Sequence, residues 1–239
     1  RHKMFDAYKG TRKPMPEELR EQVPLIKEAL TAMEIPILTL AGYEADDILG
    51  TVAKRCQEKG AEVSVVSGDR DLLQLADSHI KIRIPKTSRG TTEIHDYYPE
   101  DVKWEYQVSP EEFIDVKALM GDSSDNIPGV PSIGEKTATS LIVSYGSIKN
   151  AYAHLEEIRP PRAQKALGEH YDLAQMSKEL ATICTRCPVE FSYEDAKVEN
   201  LYTPQAFRFM KRMGFKSILS RFSPDAAGEN PLEIKEQFQ

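Results

Sequence analysis

Apolar and polar positions follow two periodicities along the chain, and together they predict strands in the first half and helices throughout. Short apolar runs predict three strands, at residues 35–40, 61–66 and 80–84. Where apolar residues recur every three to four positions, often after a proline and acidic residues, the pattern predicts helices. The predicted helices are 16–33, 44–59, 69–76, 99–106, 110–120, 137–145, 147–158, 161–180 and 204–220. Pro24 lies inside the first helix and is expected to kink or restart it.

The order of these elements predicts an α/β fold. Strands alternate with helices over the first half, which is typical of a parallel-type central sheet with covering helices. Beyond the turn at residues 129–134, the pattern is almost entirely helical. We therefore predict an α/β core over residues 1–118, a helical region over 119–224, and a linker over 225–239, where the periodicity ends.

Composition places few limits on function. The 239 residues are 40% hydrophobic and 29% charged, as in ordinary globular proteins. No apolar run approaches the roughly 20 residues of a membrane span, so we expect no membrane partner. The three cysteines fit a reducing cytosol, so we expect a cytoplasmic location. Cys184-x-x-Cys187 has no second pair and does not indicate zinc. The net charge of −7 decides nothing about nucleic acid, because residues 1–13 contain five Lys or Arg and one Asp.

The stretch GDSSDNIPGVPSIGEKTA, residues 121–138, combines two chemical features. Asp122 and Asp125 lie three residues apart in a loop of small residues, which suits a hard cation. The tight turn at 129–134 leads into a helix start, whose free N–H groups suit a phosphate. A nucleotide-binding phosphate loop is excluded because Glu135 separates the second glycine from the lysine. A plain helix–turn–helix corner is the alternative.

Two further acidic clusters follow predicted strands. The first opens a helix after 35–40 and the second follows 61–66; their members are Glu44, Asp46, Asp47, Asp69 and Asp71. Ligands bind at the carboxyl ends of strands in open α/β sheets, so both clusters are expected to face one crevice. Their alternative role is to cap helices.

Converging carboxylates have a definite chemical consequence. They cannot all stay ionised without cations, and a donor set made only of oxygen favours Mg²⁺ or Mn²⁺ over zinc. Two such ions are a known arrangement for displacement at phosphorus. Lys9 or Arg12 could add positive charge on the far side of the phosphate. The sequence therefore indicates metal-dependent chemistry on a phosphodiester.

Four ordered motifs resemble one family. EADD at 44–47, GDRD at 68–71, GDxSDNxPGVxxIGEKTA at 121–138 and RHxxFxxYKGxR at 1–12 are similar to the 5′-nuclease domain of bacterial DNA polymerase I, within the flap-endonuclease superfamily. The resemblance covers roughly residues 1–222.

The resemblance implies a PIN-like core, a helix–hairpin–helix, and a nuclease that cuts 5′ flaps, nicked duplexes or RNA primers paired with DNA. It implies two Mg²⁺ or Mn²⁺ ions, K⁺ at the hairpin, a monomer, a bacterial cytoplasmic location and a covalently linked polymerase. The implied metal ligands are Glu44, Asp46, Asp47, Asp69, Asp71, Asp122 and Asp125. The implied catalytic cations are Lys9 and Arg12, and the implied DNA-binding residues are Arg1, Tyr8, Gly129, Ser132, Gly134, Lys136 and Thr137.

One departure leaves alternatives open. The family begins with a strand that carries an Asp-Gly pair and continues to a strand that ends in Phe-Asp, and neither is in this sequence. We expect these strands, with the central one of the sheet, to be missing from the N-terminal side. The chain is then either a structure-specific 5′ nuclease or a DNA-binding fragment without catalysis. A related nuclease that acts on RNA is a third possibility, which the glycine hairpin disfavours.

Overall fold

The computed structural model describes residues 1–88, 90–194 and 196–223. Within those ranges the strands are β1 (Val63–Val66), β2 (Ile80–Ser88) and β3 (Thr91–Tyr97). The α-helices there are α1 (Glu17–Ala32), α2 (Ala45–Glu58), α3 (Pro99–Tyr106), α4 (Pro110–Met120), α5 (Glu135–Tyr145), α6 (Ile148–Ala153), α7 (Pro161–Glu169), α8 (Tyr171–Ala181), α9 (Pro204–Arg212) and α10 (Lys216–Leu219). Short 3₁₀ helices cover Arg70–Leu75 and Leu155–Glu157.

The sheet is small and mixed, with β2 at its centre. β1 pairs with β2 in parallel, with Val65 opposite Ile82, whereas β2 and β3 form an antiparallel hairpin. Alternate residues of β2 are buried, as expected for a strand with one face on the core. The predicted parallel pairing is therefore found between β1 and β2, whereas β3, which the sequence analysis did not predict, adds an antiparallel strand.

Residues 35–40, predicted as a strand, have no regular structure. Pro36 interrupts this apolar run and has no N–H to give to a ladder, and Ile37 is exposed. No strand of the described ranges pairs with this stretch. Conversely, β3 has little apolar signal, because only its last residue, Tyr97, is buried.

The observed helices follow the predicted ones with several differences. The segment predicted over 69–76 is a 3₁₀ helix, and the helix predicted over 147–158 is divided into α6 and a second 3₁₀ helix. α1 continues through Pro24, which therefore does not end it. The single helix predicted over 161–180 is divided into α7 and α8, which meet at His170. The helix predicted over 204–220 is divided into α9 and α10 by Gly214, which has a φ of +70°.

The chain forms two compact units, each assembled from two separate stretches. Unit 1 comprises Arg1–Lys13 and Leu40–Pro188, and unit 2 comprises Pro14–Thr39 and the described residues from Val189 onward. The division predicted from the sequence, 1–118 and 119–224, stays a prediction. The linker predicted at 225–239 lies outside the described residues.

Unit 1 contains the sheet, and its core fixes the position of the acidic segments. The 3₁₀ helix after β1 buries Leu72 and Leu73 completely, and β2 buries Ile80 and Ile82 in the same cluster. α4 packs against this 3₁₀ helix and also against α5 and α8. The loop that follows α4 is therefore held beside the carboxyl end of β1, where the acidic residues lie.

Unit 2 is helical in its described part. α1 packs against α9, with Leu25 and Ala29 beside a buried cluster that includes Phe207 and Met210. The Thr203 side chain caps α9 by accepting a hydrogen bond from the Ala206 N–H at 3.0 Å. None of the helices in the described ranges is both long enough and apolar enough to span a membrane.

Candidate active site

The acidic start of α2 is fixed by its second aspartate. Asp47 Oδ2 accepts a hydrogen bond from the Glu44 N–H at 3.1 Å, in a capping-box arrangement. Asp47 Oδ1 accepts one from the Cys184 N–H at 2.8 Å. The Asp47 side chain is only 3% exposed. This carboxylate therefore ties the N-terminus of α2 to the segment that follows α8.

The Arg1 guanidinium forms a bidentate ion pair with Asp47. Its Nη1 and Nη2 each lie 2.8 Å from one carboxylate oxygen. Burial by itself would raise the pKa of Asp47, but the hydrogen bonds from Arg1 and from the backbone N–H groups of Cys184 and Glu44 outweigh burial and lower it. Asp47 is thus a fully partnered anion.

Tyr8 is buried beneath the acidic residues rather than displayed at the surface. The residue is 2% exposed, and its ring belongs to a small cluster with Ile127 and Leu180. Its hydroxyl lies 3.0 Å from Glu44 Oε2 and 3.1 Å from Asp125 Oδ2. Burial and these two carboxylates raise its pKa, so the hydroxyl stays protonated. The structure therefore does not place Tyr8 where a DNA strand could contact it, contrary to the sequence prediction.

Lys9 and Arg12 contact the same acidic residues from the solvent side. Lys9 Nζ lies 2.7 Å from Glu44 Oε1 and 3.4 Å from Asp125 Oδ2. Arg12 forms an ion pair with Asp125 through Nη2, and its side chain remains 51% exposed. The backbone also contributes, because the Lys9 N–H donates to the Asp125 carbonyl at 2.8 Å. The two predicted catalytic cations therefore lie at the predicted acids.

The loop after α4 is closed by two glycines that touch each other. Gly121 and Gly129 have φ of +76° and +64°. A Cβ on Gly129 would lie 2.7 Å from the Gly121 Cα, a distance that no side chain tolerates. Asp122 and Ile127 exchange two backbone hydrogen bonds, and the Gly129 N–H donates to the buried Ser177 hydroxyl at 3.1 Å. Gly129, predicted to bind DNA, is buried and serves this packing instead.

Asp122 is paired with a lysine that the sequence analysis did not single out. Lys117 Nζ forms ion pairs with Asp122 and, at 2.9 Å, with Asp71 Oδ1. Burial opposes ionisation of Asp122, but Lys117 and Ser124 outweigh burial and lower its pKa to about 2. Lys117 was detectable in principle, since it is a lone cation between buried apolar positions of α4.

Asp46 and Asp69 differ from the other acids because no cation pairs with them among the described residues. Burial raises the pKa of Asp46 to about 6, and the nearby carboxylates of Asp69, Glu44 and Asp71 add to this effect while Lys9 opposes it. Asp69 is exposed and accepts a hydrogen bond from the Asp71 N–H at 2.9 Å. The α2 cluster and the cluster after β1 therefore lie close enough for their carboxylates to raise the pKa of Asp46, while their facing a single crevice stays a prediction.

The chemistry of this donor set fits a hard divalent cation. All donors are carboxylate oxygens, and two of them lack a cationic partner. In the geometry described, however, no group of three or more Asp, Glu, His or Cys side chains within the described ranges is arranged to hold a metal ion. Side-chain cations account for this in part, because Lys9 bridges one pair of acids and Lys117 bridges another.

The turn between residues 129 and 135 presents a second candidate surface. Val130 and Ile133 are buried and anchor the turn, and the Val130 N–H donates to the Leu119 carbonyl at 2.8 Å. Gly134 begins α5 and is exposed, with nothing within 4 Å of where its Cβ would be. Lys136 is exposed at the first turn of α5. This glycine is therefore not required by packing or by φ, and it leaves open space at the helix start.

The remaining predicted contact residues of this turn differ in exposure. Ser132 is exposed, has a φ of +71°, and accepts a hydrogen bond from Arg162 Nη2 at 3.0 Å. Thr137 is half-buried. Ser132 and Lys136 are therefore accessible to a ligand, whereas Gly129 is not.

Comparison with known proteins agrees with the fold and with the motif order. Residues 1–107 match the family described as the 5′-3′ exonuclease, N-terminal resolvase-like domain, and residues 108–203 match its C-terminal SAM fold. These two domains in succession define a 5′-3′ exonuclease region. The chain belongs to the 5′-3′ exonuclease family.

Among the curated relatives is a DNA polymerase I of Bacillus caldotenax, 45% identical over 233 residues, which are 97% of this chain and 26% of the relative. The chain thus spans about a quarter of that relative's length. Among solved structures, the T5 5′-exonuclease with bound zinc has a TM-score of 0.64 and 23% identity, covering 90% of this chain and 78% of the other. A T5 D15 flap endonuclease complexed with DNA and metal ions has a TM-score of 0.63 and 22% identity over 95% of this chain and 78% of the other. Both likenesses concern the fold.

Proposed function

We propose that this chain is the nuclease region of a structure-specific 5′ nuclease, which hydrolyses DNA phosphodiesters. The observation that carries the proposal is the meeting of carboxylates from three separate segments: the start of α2, the turn after β1 and the loop after α4. Membership of the 5′-3′ exonuclease family supports the same reaction. A dense group of acids beside the exposed guanidinium of Arg12 suits the metal-dependent hydrolysis of a phosphodiester.

The proposed metal site uses the acids that face the crevice. Two Mg²⁺ or Mn²⁺ ions would be held by Asp46, Asp69, Asp71, Asp122 and Asp125, with Glu44 at the edge of the site. When bound, such ions activate a water and neutralise charge on the phosphate. Lys117, which bridges two of these acids, holds the loop after α4 against the 3₁₀ helix. We attribute to it the alignment of the two acidic segments.

Lys9 and Arg12 are the proposed phosphate-binding cations. Arg12 is the more accessible of the two, and its long exposed side chain can reach a phosphate without rearranging the core. The buried Tyr8 hydroxyl lies within hydrogen-bond distance of the Glu44 and Asp125 carboxylates and so orients both of them. The predicted contact between Tyr8 and the DNA strand is therefore not part of this proposal.

We propose that the turn at 129–135 and α5 form a helix–hairpin–helix that grips duplex DNA. The exposed Gly134, Ser132 and Lys136 would contact the phosphate backbone, with Thr137 beside them. The open space at Gly134 supports close approach by a phosphate to the N–H groups of α5. A K⁺ ion at the turn carbonyls belongs to the same proposal.

The wider context also remains a proposal. Relatives named DNA polymerase I suggest a substrate such as a 5′ flap, a nicked duplex or an RNA primer on DNA, and a covalently linked polymerase. We place the protein as a monomer in the bacterial cytoplasm. These statements depend on the relatives' names rather than on the site.

A DNA-binding module without catalysis is the second candidate. One observation favours it: the carboxylates are largely matched by Arg1, Lys9, Arg12 and Lys117. Such pairing stabilises acids without any metal. This candidate predicts duplex binding that is indifferent to Mg²⁺.

Cleavage of a 5′-flap DNA with and without Mg²⁺, compared with single-stranded RNA, separates the candidates. We expect Mg²⁺-dependent cutting of the flap and loss of cutting in Asp122→Ala, with duplex binding retained. Binding without cleavage under all conditions would favour the non-catalytic module, and preferential cutting of RNA would favour an RNA nuclease. Cleavage that survives in Asp122→Ala would contradict the assignment of this acid.

A further inference from the structure

Asp47 and Arg1 are bonded so fully to each other and to the backbone that the roles their motifs suggest, metal ligand and DNA contact, do not fit them. Each Asp47 oxygen accepts two hydrogen bonds: Oδ1 from Arg1 Nη2 and the Cys184 N–H, both at 2.8 Å, and Oδ2 from Arg1 Nη1 at 2.8 Å and the Glu44 N–H at 3.1 Å. A carboxylate offers about four lone-pair positions. All of them are used here, within a side chain that is 3% exposed.

The guanidinium of Arg1 is equally saturated. Besides its two bonds to Asp47, Nε donates to the Leu180 carbonyl at 2.9 Å, Nη2 to the Thr182 carbonyl at 2.7 Å, and Nη1 to Glu44 Oε2 at 3.2 Å. An arginine has five N–H donors, so each has a partner. With its side chain 12% exposed, Arg1 has no N–H left for a DNA phosphate.

The partners of this pair show what it positions. Arg1 and Asp47 together bond to the backbone and side chain of Glu44, to the end of α8 through Leu180, and to the segment at 182–184. Glu44 in turn extends its other oxygen toward Lys9. The pair therefore sets the direction in which Glu44 enters the acidic crevice.

We infer that Asp47 and Arg1 are positioning residues, which aim Glu44 and lock the start of α2 to the end of α8, and that they contact neither the metal ions nor the DNA. The inference rests on the proposed function for the purpose that this positioning serves. The hydrogen bonds that saturate both side chains are independent of that function. A metal ion at Asp47 would have to displace Arg1, whose largely buried guanidinium would then lose its anionic partner.

Whether Asp47 binds metal or only positions Glu44 decides the direction in which Arg1→Lys changes the affinity for metal. If Asp47 bound metal, Arg1 would compete with the ion, and Arg1→Lys would tighten metal binding. If Asp47 only positions Glu44, Arg1→Lys loosens Glu44 and weakens metal binding, about 10-fold for the loss of a supporting hydrogen-bond partner. Lysine keeps the charge and lacks the planar fork.

The chain offers a matched control in the β2–β3 hairpin. Arg83 also forms a bidentate pair with Asp96, here through Nε and Nη2, with Nε–Oδ1 at 2.7 Å and Nη2–Oδ2 at 2.8 Å. Neither residue belongs to the candidate site. Arg83→Lys and Asp96→Asn therefore repeat the chemical change at a distance from Glu44.

The test combines two measurements on the full chain. Amide hydrogen exchange in metal-free protein reads the bonds that Asp47 accepts; we expect faster exchange at Glu44 and Cys184 in Asp47→Asn and in Arg1→Lys, and no change there in the controls. Calorimetric titration with Mn²⁺ reads the metal site; we expect unchanged stoichiometry and weaker binding in both variants. If Asp47→Asn does not fold, Arg1→Lys alone decides the sign.

Tighter Mn²⁺ binding in Arg1→Lys, or the loss of one bound ion in a folded Asp47→Asn, would overturn the inference. Unchanged exchange at Glu44 and Cys184 would overturn it as well. Failure of the proposed function is distinguishable, because it would show as an unmodified chain that cleaves no DNA while the exchange effects remain.

Discussion

The acids of the candidate site form two groups that differ in their partners. Five of them form an ion pair with an Arg or Lys: Glu44, Asp47, Asp71, Asp122 and Asp125. Asp46 and Asp69, in contrast, have no such cation in the described part of the chain. The contrast is sharpest between Asp46 and Asp47, which are adjacent in one motif and one helix.

Helix geometry explains how neighbours come to differ. Successive residues of an α-helix point about 100° apart around the axis. Asp47 therefore faces Arg1 and the segment after α8, whereas Asp46 faces the carboxylates after β1. One acidic motif thus contains an acid with a cationic partner and, among the described residues, an acid without one.

The largest effect is expected from the group without cations. Asp46→Asn should lower Mg²⁺-dependent flap cleavage by about 10³-fold, a loss typical of removing one group that stabilises charge in the transition state. The free energy of unfolding should stay the same or rise slightly, because the substitution removes repulsion with Asp69. Single-turnover cleavage and a urea titration measure the two quantities.

The control for this experiment is Asp96→Asn, which should leave cleavage unchanged. Normal cleavage by Asp46→Asn would remove the distinction between the two groups of acids.

Asp47, which pairs with Arg1 and lies outside the proposed metal site, should show its main effect in stability. Asp47→Asn leaves the buried Arg1 guanidinium without its anion, and we expect the free energy of unfolding to fall by about 3 kcal/mol. The more exposed Arg83–Asp96 pair should cost at most about 1 kcal/mol when Asp96 is changed in the same way. Urea denaturation of both variants tests this, and equal losses would count against the structural role of Asp47.

The two glycines of the loop after α4 extend the comparison to the backbone. Gly129→Ala should cost at least about 2 kcal/mol, because φ is positive and the new Cβ would meet Gly121. Gly134→Ala should cost less than about 1 kcal/mol, since a Cβ there meets open space.

For the affinity for duplex DNA, we expect the larger loss from Gly134→Ala rather than from Gly129→Ala. A folded Gly134→Ala protein is expected to bind DNA more weakly, since the methyl group lies where a phosphate would approach. Thermal melting and a duplex titration measure the two effects, and a stable Gly129→Ala protein would contradict the packing described.

The smallest effect is expected at the surface of the proposed DNA grip. Lys136→Glu should weaken duplex binding and reduce the slope of log affinity against log salt by about 1, as for the loss of one phosphate contact. Cleavage chemistry at saturating DNA should be unchanged. An unaltered salt slope, measured by fluorescence titration at several NaCl concentrations, would exclude Lys136 from the interface.

Local patterns were enough to predict most helices and the parallel pair β1–β2. Prolines followed by acids located the starts of α3 and α4, and alternation of isoleucines located β2. The sequence pattern did not predict β3, because its side chains are mostly exposed and the strand is defined by its backbone pairing with β2. The false strand at 35–40 had suitable residues, but in the described ranges it has no strand to pair with.

The acidic clusters could be predicted from spacing, but their individual partners could not. Tyr8 lies in a basic, apparently accessible segment, and only the fold reveals that it is buried under Glu44 and Asp125. Lys117 lies far in sequence from Asp71, so its bridge between Asp71 and Asp122 depends on how α4 packs. Contacts between distant segments decide which acid is structural.

A crystal structure of the chain soaked with Mn²⁺, with an anomalous difference map, tests the central distinction most directly. We predict anomalous peaks from Mn²⁺ at coordination distance from the carboxylate oxygens of Asp46 and Asp69, with Asp47 still in its bidentate pair with Arg1. A peak at Asp47 with Arg1 displaced would contradict the account.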